Sequence, residues 1–242
     1  MVDRELNKRW VSQVGIDFGN NPEVLKWARK SGCLAVFIGF ESSSEESLQH
    51  MHKVRNLRFG VIKYREVIKR IHDHGIGVHG AFICGSDGDK KDVFQRTTEF
   101  ILHSGIDSAT ITILTPLPGT RLYSKLRSEG RLLRTNYPQD WKHYDTSEAV
   151  FIPKHMTPDE LEEGVYQIYK HLTSKTTSLK RALNSFIHTK NLGVTAIAYS
   201  LNRGLNSFVN KKYEWVMKES SSGAGFHQPS HPVEDREKCL MK

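Results

Sequence analysis

The chain has 242 residues and contains no apolar run approaching the roughly 18 residues that a membrane-spanning helix needs. Hydrophobic residues make up 38 % and charged residues 26 %, the balance of an ordinary globular protein. The three cysteines, Cys33, Cys84 and Cys239, form no CxxC pair, and the N-terminus has no apolar signal segment. We therefore expect free thiols and a cytoplasmic location.

The net charge of +8 is concentrated near the C-terminus. Residues 169 to 218 contain nine Lys or Arg and a single acid, Glu214. Such a segment can meet nucleic acid, an anionic membrane surface or a phosphorylated ligand, or it can be a solvated face. Aromatic side chains are not clearly interleaved with the cations. This favours the solvated face, and we expect no nucleic-acid partner.

Predicted strands and helices alternate along the first 130 residues. Apolar runs predict strands at 10 to 17, 33 to 40, 76 to 85 and 106 to 119. Helical spacing predicts helices at 21 to 32, 61 to 75, 92 to 105 and 120 to 130, the first three of which close on a glycine. This alternation predicts βα units and a parallel sheet. Within the second helix, His72 and His74 lie two residues apart, which does not suit a metal pair, and we expect both at the surface.

Helices without strands follow an irregular aromatic segment after residue 130. Thr157 and Glu160 form a capping box around Pro158 and predict a helix start. Further helices are predicted at 178 to 188 and at about 194 to 216. We therefore divide the chain into a sheet domain (1 to 135), a basic helical extension (136 to 218) and a disordered tail (219 to 242).

A glutamate directly follows an apolar strand in AVFIGFESSSEESL, residues 35 to 48. The two S-x-x-E motifs that begin at Ser42 and Ser43 are capping boxes, which explains the serines as a helix start. They do not explain Glu41, because a carboxylate at the end of a buried strand needs a partner. A ligand hydroxyl or ammonium group would serve, and so would a lysine such as Lys53.

Two further loops of unusual composition follow strands. In GAFICGSDGD, Gly80 and Gly85 mark close backbone approach or a tight turn, and Asp89 can cap the next helix. In TPLPGT, residues 115 to 120, two prolines fix the backbone and present Leu117 above the sheet, which suits an adenine edge or plain loop rigidity. Because the carboxyl ends of parallel strands share an edge, we expect these loops to meet the acid of the second strand there.

The order of these segments resembles the later strands of radical SAM enzymes, and most closely the type with a B12-binding domain upstream. The resemblance rests on AVFIGFESSSEESLQHMHK, YREVIKRIHDHGIGVHGAFICGSDGD and TILTPLPGTRLYSKLRSEGRL. The stretch from DWKHYD through FIPKHMTPDELEEG is similar to the helical extension that follows the barrel in many members. Together these segments cover residues 10 to 190.

The resemblance implies an α/β fold: a partial (β/α) TIM-like barrel of about four parallel strands with an α-helical C-terminal extension. It also implies a site for S-adenosylmethionine (SAM). In that site Glu41 and Ser42 contact the ribose and the methionine end, Lys53 pairs with the carboxylate, and residues 115 to 118 lie near the adenine. The implied SAM-binding residues are Gly39, Glu41, Ser42, Lys53, Gly80, Gly85, Asp89, Thr115, Pro116, Leu117 and Pro118.

The chain also departs from the family. Members hold a [4Fe–4S] cluster on three cysteines spaced CxxxCxxC, and this spacing and the first two strands are absent here. We therefore expect the SAM-binding C-terminal portion of a B12-type radical SAM enzyme, inactive alone. The ligands of the cluster, and of cobalamin if it is used, would lie in a missing N-terminal half or in another chain. We expect a fragment, with a split enzyme as the alternative.

A different class of function stays open at this point. The chain can instead be a non-catalytic interaction module whose basic surface binds an anionic partner. The sequence predicts no particular small-molecule substrate, because the fold analogy does not carry specificity.

Overall fold

The computed structural model describes residue 2 and residues 6 to 221. The strands are β1 (Trp10–Val14), β2 (Cys33–Glu41), β3 (Gly77–Cys84) and β4 (Ser108–Ile113). The helices are α1 (Pro22–Lys30), α2 (Glu45–His50), α3 (Val54–Phe59), α4 (Tyr64–Asp73), α5 (Val93–Ser104), α6 (Arg121–Ser128), α7 (Pro158–Leu172), α8 (Lys175–Thr189) and α9 (Leu192–Ser221). Of the predicted tail, residues 222 to 242 lie outside the described part.

The four strands form one parallel sheet in the order β1-β2-β3-β4. The α/β fold class with about four parallel strands and C-terminal helices is therefore confirmed, and the open sheet is compatible with part of a barrel. The glycines that close α1, α4 and α5 all have positive φ, as the helix-end pattern predicts. The capping box at Thr157 is formed as predicted, with Pro158 in the first turn.

The two faces of the sheet differ. On the helix-covered face, the Phe40 ring packs against Phe82 at 5.7 Å and against Tyr64 at 5.1 Å between ring centroids. On the opposite face, which we call the open face, Phe37 stacks on His79 at 4.7 Å. The open face is the one that would line the interior of a closed barrel.

The two edges of the sheet also differ. At β4, the Tyr169 hydroxyl of α7 accepts a hydrogen bond from the Ile111 amide and donates one to the Ile111 carbonyl, both at 2.8 Å. At β1, residues 11 to 13 are exposed, and no described strand pairs with the outer side. The sheet is thus closed off by a side chain at one edge and open at the other.

The C-terminal helices are joined to the bottom of the sheet by buried polar contacts. Arg181 of α8 donates to the Asn202 side chain at 2.9 Å and to the Ile106 carbonyl at 3.2 Å. Asn202 of α9 in turn donates to the Asp107 carbonyl at 2.9 Å. None of the helices within residues 6 to 221 combines the length and the apolar character that a bilayer crossing requires.

Several details depart from the sequence predictions. The strand predicted at 106 to 119 spans only Ser108–Ile113. The strand predicted at 10 to 17 ends at Val14, because Ile16–Asn20 form a 3-10 turn whose Gly19 packs closely on α4. His72 is buried, not at the surface, and its Nε2 lies 2.9 Å from the Asp107 carboxylate. The carboxylate of Asp107, which is distant in sequence, forms the hydrogen bond that allows this histidine to be buried. The position of His72 on the helix could not show that partner, so the predicted surface location was wrong.

Candidate functional site

The last residues of β2 form a strained bulge at the carboxyl edge of the sheet. The register with β3 shifts between Gly39 and Glu41, and Glu41 has a φ of 67°. Asn56 of α3 holds the bulge by donating to the Gly39 carbonyl at 2.9 Å and to the Phe40 carbonyl at 3.1 Å. A non-glycine residue with positive φ costs free energy and concentrates at functional sites, so the bulge marks Glu41 as a residue to test.

The Glu41 carboxylate folds back over Gly39 and pairs with a lysine. A Cβ at position 39 would lie 2.7 Å from Glu41 Oε1, so glycine leaves the space that the carboxylate occupies. Lys53 Nζ lies 3.0 Å from the same oxygen. Of the two partners that the sequence left open for Glu41, the lysine is therefore present, and the pair remains partly exposed to a ligand.

The serines after Glu41 start the next helix from a different residue than predicted. Ser44 is the N-cap of α2 and accepts a hydrogen bond from the Ser47 amide, so the predicted capping boxes at Ser42 and Ser43 do not form. The buried Ser42 hydroxyl instead accepts a hydrogen bond from the Ser44 amide at 3.1 Å. The helix therefore begins one residue later than a capping box at Ser43 would place it. The positive φ at Glu41 redirects the backbone just before these serines.

Asp89 organises the turn after β3. Its Oδ2 accepts from the Gly85 amide at 2.8 Å and from the Ser86 amide at 2.9 Å, and its Oδ1 accepts from the Ser47 hydroxyl of α2. It does not cap α5, whose N-cap residue is Asp92. Asp89 is buried, so the carboxylate ties the β3 turn to α2 from inside the protein.

Asp87, in the same turn, lies among three cations. Its carboxylate oxygens are 2.7 Å from Lys125 Nζ, 2.8 Å from Arg131 Nη2 and 3.4 Å from Lys154 Nζ. Burial raises the pKa of the Asp87 carboxyl, but the hydrogen bonds from Arg131 and Lys125 outweigh it and hold this pKa well below its usual range. The turn is thereby fixed to α6 and to the segment that follows it.

The TPLPG loop continues from β4 and ends at α6. The Thr115 hydroxyl donates to the Ile113 carbonyl at 3.0 Å, and the Thr120 amide donates to the Leu117 carbonyl at 3.1 Å. Pro116 is buried and Pro118 is partly buried, while Leu117 is exposed. The loop therefore presents Leu117 at the same carboxyl edge of the sheet as Glu41.

A cavity of about 340 Å³ lies between these loops, above Ile83 on the open face. Its wall includes Lys53, Ile83, Ser86, Leu114, Arg121 and Phe151. The buried Ser86 hydroxyl lies beside Asp89 but finds no hydrogen-bond partner of good geometry among the described residues. An unsatisfied buried hydroxyl on a cavity wall is a position where a ligand atom can complete the hydrogen bonding.

The structure brings together some of the predicted residues but not all. Glu41 with Lys53, the turn from Gly85 to Asp89, and residues 115 to 118 share the carboxyl edge, and Lys53 lines the cavity itself. Gly80 lies in the middle of β3 on the helix-covered face, where a Cβ would be 3.2 Å from the Phe40 ring. It makes room for aromatic packing, away from this edge.

Sequence reasoning missed several cavity residues, above all Ser86 and Arg121. Arg121 is the first residue of α6, directly after TPLPGT, so its place after a predicted strand was a usable signal. The position of Ser86 became evident only from the turn that Asp89 folds.

The described residues do not fit an iron–sulfur cluster. They contain no group of three or more His, Cys, Asp or Glu side chains arranged to hold a metal ion. Burial raises the pKa of the Cys33 thiol to about 11, and burial raises the pKa of the Cys84 thiol well above its usual value. Metal binding needs thiolates, and these two thiols are held protonated inside the protein.

Comparison with known proteins finds relatives among methyltransferases. No protein-family model matches the sequence. The chain is 32 % identical over 177 residues to the bacteriochlorophyllide d C-12(1)-methyltransferase of Chlorobaculum tepidum, which covers 73 % of this chain and 37 % of the relative. It is 31 % identical over 118 residues to the hopanoid C-2 methylase of Rhodopseudomonas palustris, with 49 % and 22 % covered.

A cyclase also matches. The anaerobic magnesium-protoporphyrin IX monomethyl ester cyclase of Cereibacter sphaeroides is 26 % identical over 159 residues, which is 66 % of this chain and 24 % of the relative. The matched regions of these three relatives thus amount to between 22 % and 37 % of their lengths. The chain is a distant homologue of part of these proteins.

Proposed function

We propose that this chain is the SAM-binding, C-terminal portion of a radical SAM methyltransferase of the B12-associated type. The similarity to methyltransferases supports the reaction class. The observation that carries the proposal is the ion pair between Glu41, on the strained bulge, and Lys53, which lines a cavity whose wall also includes Ile83 of β3 and Leu114, the residue after β4. Ligands of parallel α/β sheets bind at the carboxyl edge.

The chemistry of SAM matches the groups that converge there. Its methionine end carries an ammonium and a carboxylate group, which are complementary to Glu41 and Lys53 respectively. Its ribose hydroxyls can accept from or donate to Ser86, and its adenine ring is flat and suits the apolar wall near Leu114 and the proline loop. In this proposal Asp89 acts indirectly, by holding the turn that carries Ser86.

The complete protein would contain more than this chain. By resemblance, a [4Fe–4S] cluster supplies the electron that cleaves SAM, and the described residues do not fit that cluster. We propose that another polypeptide segment supplies it and that this segment joins the sheet at β1, the edge left open. A groove beside this edge, lined by Trp10, Val24 and Trp27, offers apolar surface to a βα unit.

The proposal is tested by titrating the full chain with S-adenosylhomocysteine in a calorimeter. We expect binding, and we expect Lys53→Met and Glu41→Gln each to weaken it about tenfold, because each removes a charge-assisted contact of the order of 1.4 kcal/mol. Lys63→Met, an exposed lysine just before α4, is the matched control and should leave the affinity unchanged. Equal affinity in Lys53→Met and Lys63→Met would contradict the proposed site.

Anaerobic reconstitution with iron and sulfide tests the proposal that another polypeptide segment supplies the [4Fe–4S] cluster. We expect the chain alone to hold no [4Fe–4S] cluster, because its described thiols are buried and far from metal-ligand spacing. A stoichiometric cluster on this chain would show that the missing-segment account is wrong.

A further inference from the structure

The large apolar side chains of α8 point away from the protein. Leu179, Leu183, Phe186 and Ile187 are 65 %, 58 %, 37 % and 48 % exposed. Their spacing of four, three and one residues places them on one stripe of the helix, which we call the α8 stripe. A surface helix normally turns its large apolar residues to the core, so the orientation of α8 is inverted.

The inward face of α8 explains why the helix does not rotate to bury this stripe. Its buried residues are Ser178, Arg181, Ala182, Ser185 and Thr189, which are small or polar. Rotation would break the hydrogen bonds that the buried guanidinium makes to α9 and to the Ile106 carbonyl. Leaving such a charged group buried and unpaired is strongly unfavourable, so the partners of Arg181 oppose rotation of the helix.

Cations flank the α8 stripe, and no acid lies near it in sequence. Lys175 and Lys180 are exposed, one on each side of the stripe, and the exposed Lys190 closes the helix. Residues 164 to 213 contain no Asp or Glu at all. The surface therefore combines a narrow band of large apolar side chains with positive charge on both sides.

We propose that α8 docks this protein on the surface of an anionic lipid bilayer. Large aliphatic side chains enter the boundary between headgroups and acyl chains, while flanking lysines meet the lipid phosphates. The phosphates of a nucleic acid would pair with the lysines, but such pairing would not account for the four exposed apolar side chains of the α8 stripe. The inference is independent of the SAM site, which lies at the opposite, carboxyl end of the strands from the contacts of Arg181.

Vesicle flotation of the full chain tests this inference. We expect binding to vesicles of phosphatidylglycerol and phosphatidylcholine in equal parts, and much weaker binding to phosphatidylcholine alone. Lys175→Gln combined with Lys180→Gln should weaken binding to the anionic vesicles about 25-fold, at about fivefold per lysine. Leu183→Ser should weaken binding to these vesicles about tenfold.

Matched controls separate docking from general stickiness. Ile62→Ser removes an apolar side chain that is 90 % exposed elsewhere on the surface, and Lys26→Gln removes an exposed lysine of α1. Both should bind vesicles like the unchanged chain, and circular dichroism should show that all variants are folded. Anionic-vesicle binding should also fall steeply at about 0.5 M salt.

Three results would overturn the inference. The first is no flotation with anionic vesicles at low salt. The second is an equal loss in Leu183→Ser and Ile62→Ser. The third is a dimer in solution that Leu183→Ser dissociates, because the α8 stripe would then be covered by a second copy of the chain.

Discussion

The carboxyl group of Glu162 in α7 gives the strongest pH prediction. Burial raises its pKa to about 7, against 4.5 in the unfolded chain. The Ala149 amide, which donates to Glu162 Oε1 at 2.7 Å, lowers this pKa in part, and the nearby carboxylates of Glu148 and Asp159 raise it. The folded protein therefore favours the protonated form of Glu162.

The sign of the effect follows from the two pKa values. Because the folded state binds the proton more tightly, stability falls as the pH rises from about 4.5 and through about 7. Above pH 7, the ionised Glu162 costs the folded state roughly 3 kcal/mol relative to the protonated form. Glu162→Gln removes the charge and keeps an oxygen that can accept from the Ala149 amide.

Thermal unfolding of the full chain at two pH values measures this effect. At about pH 8, Glu162→Gln should raise Tm by roughly 6 to 12 °C, since a domain of this size shifts by about 2 to 4 °C per kcal/mol. At about pH 5 the gain should shrink to a quarter to a third of that. Glu23→Gln, which changes an exposed glutamate of α1, is the matched control and should leave Tm nearly unchanged. A Tm gain of equal size at both pH values would refute the reasoning.

Three further changes test the packing around the site. Tyr169→Phe should lower the free energy of unfolding by about 2 to 4 kcal/mol in urea, because both the amide and the carbonyl of one β4 residue lose their partner. Gly85→Ala should cost more than Gly119→Ala, since both have positive φ but only at Gly85 would the new Cβ contact a leucine, at 2.7 Å. Iodoacetamide at pH 8 should leave Cys33 and Cys84 unmodified until the chain unfolds, as peptide mass spectrometry can show.

Each of these tests has its own control and its own contrary result. Tyr199→Phe changes an exposed tyrosine of α9 and should leave the free energy of unfolding unchanged. If Tyr199→Phe lowered it as much as Tyr169→Phe, the loss in Tyr169→Phe could not be assigned to the hydrogen bonds at the β4 edge. Equal destabilisation at both glycines would mean that backbone strain, not the contact with Leu161, decides the cost. Rapid alkylation of the native thiols would show that β2 and β3 open readily.

The local features of this chain were predictable, because they depend on neighbours in sequence. The helix-ending glycines and the capping box at Thr157 appear where the pattern places them, and all four predicted strands form, although the first and the fourth are shorter than predicted. The prediction that the loops after β2, β3 and β4 share the carboxyl edge of the sheet needed only the parallel arrangement of the strands. These features need only the periodicity of the chain and the geometry of a βα unit.

The remaining features depend on contacts between distant residues. His72 is satisfied by Asp107, 35 positions away, and Asp89 by Ser47, 42 positions away. The bulge at Glu41 depends on Asn56, which no motif connects to it. The exposed side of α8 is set by the partners of its buried arginine, so helical spacing could show a stripe but not the direction in which it faces.

The unequal edges of the sheet restrict how copies of this chain can associate. The phenol of Tyr169 occupies the backbone positions at β4 that an incoming strand would need, whereas β1 offers its outer side. Of the strands that the structure describes, only β1 has a receptive edge, so two copies can join their sheets only through their β1 edges, related by a two-fold axis. Such pairing ends at two molecules, so the phenol protects this protein from open-ended fibre growth through its strands.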